Sequence, residues 1–202
     1  MVLSIFVIFM GVVFMTMMAG NNSWTNTATV MDLRQNIHQT LERVSAELRE
    51  SGSAAGGAME VSINTGAGVN GSDVLQFSVP VICEAGGSVM DTNGDVAHWG
   101  APLTWGCIDS TCMDADNDCT TVEYSSLQYA LNSQKQLTRS VLSPTSAVVR
   151  SDVFAQDITN FQAVLSADKN IVTLTVTASG ITALNRTITM TDSLNVYLRN
   201  RG

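Results

Sequence analysis

The first twenty residues, MVLSIFVIFMGVVFMTMMAG, carry no charged side chain and constrain the fold more than any other feature of the chain. A helix of this length spans about 30 Å, which is the hydrocarbon thickness of a bilayer. A cleavable signal peptide normally has a basic residue before a shorter apolar core, and this run has none. The run therefore favours a transmembrane anchor or a helix that is buried among other helices.

The stretch that follows, TATVMDLRQNIHQTLERVSAELRESG, has the pattern of an amphipathic helix. Its apolar residues recur at steps of three and four, which places them on one face. They are Val30, Leu33, Ile37, Leu41, Val44 and Leu48. Arg43 and Glu47 are four residues apart and are expected to pair along the helix. Gly52 predicts its end. The two halves predict one helix of about 50 residues, loosened at AGNNSWTN by poor helix formers.

Beyond the helix, apolar and polar residues alternate with the period of β-strands in DVLQFSVPV, SLQYAL, QLTRSVL and NIVTLTVTASG. An antiparallel sheet packed on the amphipathic half of the helix buries both apolar faces, so the predicted class is α+β. We expect an N-terminal helix at 1–52, with a membrane or filament-core part at 1–20 and an amphipathic part at 29–51. A β-rich head is expected at 53–202, with an acidic loop region containing the cysteines at 83–123.

Charge and motifs exclude several classes of function. The net charge of −8 argues against nucleic acid or an anionic membrane surface as a partner. No GxSxG, HExxH, P-loop or Cys–His arrangement is present, so we expect no catalytic residues and no enzyme activity.

The acidic middle of the chain has no Lys or Arg between Arg49 and Lys135. Four cysteines in this region predict one or two disulfides, with the pairing left open. They are Cys83, Cys107, Cys112 and Cys119. Alternating acidic residues in two runs could converge their oxygens on calcium. The candidate ligands are Asp91, Asn93 and Asp95 in the first run, and Asp114, Asp116 and Asp118, with Glu123, in the second. Neither run is an EF-hand loop, and solvated Asx turns are the alternative.

The chain resembles the type IV pilin and pseudopilin family, most closely the larger minor pilins and the J-type minor pseudopilins of type II secretion. Three stretches carry the resemblance: the apolar helix running into LRQNIHQTLERVSAELRESG, the strand pair SLQYALNSQKQLTRSVL, and ITNFQAVLSADKNIVTLTVTASG with SLNVYLRNRG. The acidic middle hardly takes part. The resemblance implies a subunit that is held in the inner membrane by its helix. It then joins copies of itself or other pilins in a cell-surface or extracellular filament, or in a periplasmic pseudopilus.

The expected filament-core residues lie in the first fourteen positions. They are Val2, Leu3, Ile5, Phe6, Val7, Ile8, Phe9, Met10, Val12, Val13 and Phe14. Family members carry a glutamate five residues into the mature chain, whereas Ile5 stands here and Asp32 is the first acidic residue. Either a stretch precedes Met1, or this subunit lacks that carboxylate. The alternative function is a membrane-anchored, exported and calcium-stabilised module for binding or adhesion.

Overall fold

The structure is a computed structural model. It describes residues 2–53, 61–81, 92, 96, 98–103, 105, 126–182, 184–198 and 200–201, with only the backbone of 2–5, 52–53 and 200–201. One long helix, α1 (Val2–Glu50), opens the chain. A short 3₁₀ turn lies at Val69–Gly71. The strands are β1 (Gly52–Ser53), β2 (Ser62–Asn64), β3 (Val74–Phe77), β4 (Val79–Pro80), β5 (Trp99–Gly100), β6 (Ser126–Leu131), β7 (Leu137–Leu142), β8 (Val148–Ala155), β9 (Ile158–Leu165), β10 (Ile171–Ile181), β11 (Thr187–Tyr197) and β12 (Asn200–Arg201).

Within the described residues, the strands form two main antiparallel sheets. The larger has the order β2-β3-β6-β7-β8, and the smaller has the order β11-β10-β9. Two short pairs complete the head, β4 with β5 and β1 with β12, of which the second is parallel. The amphipathic half of α1 packs on these sheets, so the predicted α+β class is confirmed.

The predicted apolar face of α1 is the face that the head covers. Leu33, Ile37, Leu41, Val44 and Leu48 are each at most 4% exposed and belong to one core with the inward side chains of the strands. Burying a side chain of this size contributes about 1.5–3 kcal/mol. The face therefore accounts for a large part of the attachment of helix to head.

Strand alternation is confirmed on the sheet side of the same core. The inward residues of the predicted strands are buried, and the core includes Leu75, Phe77, Val79, Leu127, Leu137, Val141, Val172, Leu174, Val176, Val196 and Leu198. The predicted NSQKQ hairpin joins β6 to β7, whose register runs from Ser126 opposite Leu142 to Leu131 opposite Leu137.

The expected loosening of α1 at AGNNSWTN is wrong, since the helix is continuous from Val2 to Glu50. Helix propagation between two strong flanking segments costs little per residue, even for poor helix formers. Three threonine hydroxyls in or just after this segment also donate to carbonyls of the preceding turn, which satisfies them inside the helix. Thr25 donates to Asn22 at 3.0 Å, Thr27 to Ser23 at 2.9 Å and Thr29 to Thr25 at 3.0 Å.

The helix and β10 approach each other closely at Gly180. A Cβ added there would lie 3.0 Å from Cγ2 of Thr29 and 3.3 Å from Cδ1 of Leu33. Contacts of this length are tighter than ordinary packing, so a side chain at position 180 would push the helix away from the sheet. Because glycine has no side chain, position 180 allows α1 and β10 to lie this close together.

We expect Gly180→Val to lower the free energy of unfolding by about 1–3 kcal/mol, because it overpacks this contact. Gly180→Ala should cost less, and Thr29→Ser, which removes the Cγ2 methyl but keeps the hydroxyl, should recover part of that loss. Urea unfolding of the detergent-solubilised chain measures each value, with Thr29→Ser alone as the control. An equal loss for Gly180→Ala with and without Thr29→Ser would contradict the contact.

Candidate assembly site

The N-terminal half of α1 exposes its apolar side chains on every side. Eleven large apolar residues between positions 6 and 18 are 44–74% exposed. They are Phe6, Val7, Ile8, Phe9, Met10, Val12, Val13, Phe14, Met15, Met17 and Met18. Soluble monomers rarely expose a continuous apolar surface of this extent. We call it the apolar helix surface. The helix α1 that carries it is long and apolar enough to cross a membrane, by length and composition.

The structure brings most of the predicted filament-core residues onto this one surface. Phe6 through Phe14 contribute exposed side chains, and no other described part of the chain covers them. Val2, Leu3 and Ile5 belong to α1 by their backbone, but their side chains lie outside the part that the structure describes. Thr16, the hydroxyl residue within the surface, donates to the carbonyl of Val13 at 2.8 Å. No free hydroxyl proton therefore faces outward at Thr16.

A neutral polar segment separates the apolar helix surface from the head. It runs from Asn21 to Thr29 and carries no charge, and Asp32 is the first charged residue of the chain. Trp24 lies within the segment and is 75% exposed. A tryptophan at the end of a membrane-length apolar run is typical of the lipid–water interface.

The helix is attached to the larger sheet by a buried ion pair. Nη2 of Arg139 on β7 donates to Oε1 of Glu47 at 2.8 Å and to the carbonyl of Pro102 at 2.8 Å. The hydroxyl of Tyr129 on β6 donates to Oε2 of Glu47 at 2.5 Å. Arg139 and Glu47 are only 2% and 8% exposed. A charge pair buried to this extent is stable because both groups have hydrogen-bond partners. Removing one partner leaves the other as an uncompensated buried charge.

The predicted helical pair of Arg43 with Glu47 is therefore wrong. Glu47 turns into the core toward Arg139, because a buried carboxylate gains more from a hydrogen-bonded guanidinium than from an exposed neighbour. Arg43 instead lies over two aromatic rings, 5.6 Å from the centre of Trp105 and 5.8 Å from that of Phe154. This arrangement is a cation–π contact at the rim of the helix–sheet interface.

The pKa values of the network follow from its burial. Burial raises the pKa of Tyr129 well above its ordinary value, and the Glu47 carboxylate beside the hydroxyl adds to the rise. Burial alone would lower the pKa of Arg139, but the hydrogen bonds and charge of Glu47, together with Tyr129, raise the pKa above its ordinary value. Arg139 therefore stays charged and Tyr129 stays neutral at physiological pH.

This shift predicts a loss of stability at alkaline pH. Unfolded tyrosine begins to lose its proton near pH 10 while folded Tyr129 keeps it, so stability is complete below pH 10 and falls above it. One such group makes the free energy of unfolding fall with pH by up to about 1.4 kcal/mol per pH unit. Tyr129→Phe should remove that part of the slope in unfolding curves measured from pH 9 to 11. The same replacement at the exposed Tyr197 is the control, and an alkaline slope that Tyr129→Phe leaves unchanged would contradict the assignment.

The predicted calcium ligands and disulfide cysteines belong to the acidic middle of the chain. Asp91, Asn93, Asp95, Asp114, Asp116, Asp118 and Glu123 lie outside the described residues, as do all four cysteines. Within the described ranges, no group of three His, Cys, Asp or Glu side chains could hold a metal. His38 lies on the exposed side of α1, where its Nε2 is 3.0 Å from Oε1 of Glu42.

The fold and the exposed helix define a class of protein, an α+β head carried on a helix of membrane-spanning length. A search of protein-family models, curated proteins and solved structures finds no match to the chain. The features that bear on function are therefore the apolar helix surface and the head themselves.

Proposed function

We propose that the protein is a structural subunit of a type IV pilus-like filament or of a type II secretion pseudopilus. Its helix anchors it in the inner membrane before assembly and packs among neighbouring helices in the filament afterwards. The single observation that carries the proposal is the apolar helix surface, which is exposed around the whole circumference of α1.

The size of this surface requires an apolar environment. Burying eleven large side chains that are now mostly exposed would release on the order of 10–20 kcal/mol. That is comparable to the whole folding stability of a typical domain, about 5–15 kcal/mol. A chain with this surface left in water would associate or aggregate, so a bilayer or a bundle of similar helices must cover it.

Exposure on all sides favours an open assembly over a closed pair. A dimer with twofold symmetry covers one patch on each partner and leaves the rest of the helix in contact with solvent or lipid. A helical array surrounds each helix with several neighbours through different patches. The five methionines of the segment suit such unequal contacts, because their side chains are flexible and adaptable.

Transfer from lipid to filament depends on packing. Lipid tails are as apolar as the helix, so leaving them gives no hydrophobic gain, and close contact between helices must supply the free energy. No charged side chain precedes Asp32, which fits this transfer, since no ionised side chain of the segment has to change its environment.

The proposal is tested by removing detergent slowly from the purified full-length chain and imaging the product by electron microscopy. We expect filaments of uniform diameter with a measurable helical repeat. Monomeric chain after detergent removal, or only irregular micelle-like particles, would overturn the filament proposal. Sedimentation velocity on the same samples separates these outcomes by mass.

A further inference from the structure

The turn between β10 and β11 lies at the end of the head that faces the apolar helix surface. Near the C-terminal end of α1, Arg49 lines the same groove as Leu194 of β11. Closer to the N-terminus, Gly180 of β10 meets Thr29 and Leu33. The hairpin therefore runs along the helix, and β10 points toward the membrane-length segment.

The tip of this hairpin is a tight turn of defined geometry. The amide of Thr182 donates to the carbonyl of Arg186 at 2.9 Å, and the amide of Asn185 donates to the carbonyl of Thr182 at 2.9 Å. Asn185 takes the left-handed conformation with φ of 55°. The tip thus reaches two to three residues beyond Gly180, or about 7–10 Å at 3.3 Å per residue.

That reach places the tip level with Trp24. Gly180 sits between the levels of Thr29 and Leu33, and 7–10 Å along a helix corresponds to about five to seven residues. The tip is therefore level with residues 24–26 of α1. Two separate elements bring exposed apolar side chains to this level, since Leu184 at the tip is 47% exposed and Trp24 on α1 is 75% exposed. Ile181, which is 68% exposed, lies just behind the tip on the side of the head, near Thr29.

This level coincides with the headgroup layer when α1 spans a bilayer. The apolar run ends at Gly20 and polar residues begin at Asn21, so the hydrocarbon core ends near Gly20. The headgroup layer beyond it adds roughly 5–7 Å, or about three to five residues of helix. Residues 21–25 then lie among the headgroups. Arg186, which is exposed beside Leu184, combines an aliphatic stem with a charged end, as suits the same layer.

We propose that the β10–β11 tip, through Ile181, Leu184 and Arg186, is a second contact with the phospholipid bilayer. The contact rests on the membrane-held stage of the proposed function. The two apolar side chains enter the lipid–water interface, and the Arg186 guanidinium binds lipid phosphate. A lone helix is free to rotate about its own axis in a bilayer, whereas a second point of contact fixes that rotation and orients the head.

The test uses the full-length chain in phosphatidylcholine vesicles whose lipids are brominated near the headgroup, so that nearby tryptophan fluorescence is quenched. Leu184→Trp is compared with Tyr197→Trp, both in a Trp24→Phe background. Tyr197 is the matched control, since it is 62% exposed and ends β11, the strand that leaves the tip, about 33 Å away. Trp99 and Trp105 give the same background in both variants. We expect quenching at position 184 to be at least threefold stronger than at 197.

A second measurement needs no substitution near the tip. A spin-labelled headgroup lipid should broaden the methyl NMR signals of Ile181 and Leu184 in the unchanged chain. It should leave those of Val164, which is 63% exposed on β9, sharp. Equal quenching at 184 and 197, with equal broadening at the three methyl-bearing residues, would overturn the tip contact.

Two further outcomes distinguish the tip contact from the insertion of α1 in the membrane. Quenching of Trp24 in the otherwise unchanged chain without quenching at 184 would overturn the tip contact and leave the membrane helix standing. Absence of quenching at Trp24 as well would remove the membrane-held stage itself.

Discussion

Val7→Asp is expected to abolish filament formation while the head keeps its fold. A carboxylate near the centre of a membrane helix costs about 2.5–3.5 kcal/mol, and it recurs in every subunit of an array. Val7 is 61% exposed and touches no described part of the head, so nothing in the head depends on it. Electron microscopy after detergent removal measures the filaments, and near-ultraviolet circular dichroism reports the head. Val13→Asp should act in the same way.

Val164→Asp is the matched control for this experiment. It replaces a valine of almost the same exposure, 63%, by the same acidic residue, but on β9 of the head. We expect filaments from this variant to be normal in number and diameter. Sodium carbonate extraction shows whether Val7→Asp still enters membranes, which separates failed insertion from failed packing. Normal filaments from Val7→Asp would contradict the assembly role of the apolar helix surface.

Arg139→Leu is expected to cost about 3–5 kcal/mol of the free energy of unfolding. Glu47 would remain buried without its bidentate partner, and the carbonyl of Pro102 would lose the donor at 2.8 Å. Glu47→Leu should cost a similar amount for the complementary reason. The double variant Glu47→Leu with Arg139→Leu should lose much less free energy of unfolding than the two single variants added together. In the double variant, no buried charge is left without a partner. Urea unfolding of all three variants measures this coupling.

Arg150→Leu on the neighbouring strand β8 supplies the control. Arg150 also pairs with a carboxylate, Asp152, at 2.8 Å, but both side chains are 46% exposed. Exposed pairs contribute about 0–1 kcal/mol, so this loss should be small. Similar costs for Arg139→Leu and Arg150→Leu, or additive costs in the double variant, would show that the buried pair is not a coupled unit.

The fold was predictable wherever apolar periodicity was strong. Steps of three and four from Leu33 to Leu48 predicted the helix face, and alternation in NIVTLTVTASG predicted the inward side of β10. Continuity of α1 through Asn21 and Asn22 was not predictable from local propensity, because cooperativity with the flanking turns decides it.

The buried ion pair was missed although the sequence contains a signal for it. Arg139 alternates with Leu137 and Val141 in QLTRSVL, which places a guanidinium on the inward face of the strand. An inward arginine requires an acidic partner from the element packed above it, and Glu47 was the residue treated as a helical neighbour of Arg43. Its choice between two arginines depends on burial, which spacing along one helix does not encode.

The continuity of α1 also determines how the head would respond to mechanical load. A pull along the helix at its apolar half acts parallel to the face from Leu33 to Leu48, so all the side chains on that face bear the force in shear at once. Peeling the helix away from the sheets would break these side-chain contacts one at a time and would need far less force. With Glu47 bonded to Arg139 near the far end of the helix, the resistance extends along the whole interface. In a filament of such subunits, the helices would carry the tension. The interface with the helix would keep each head from sliding along it.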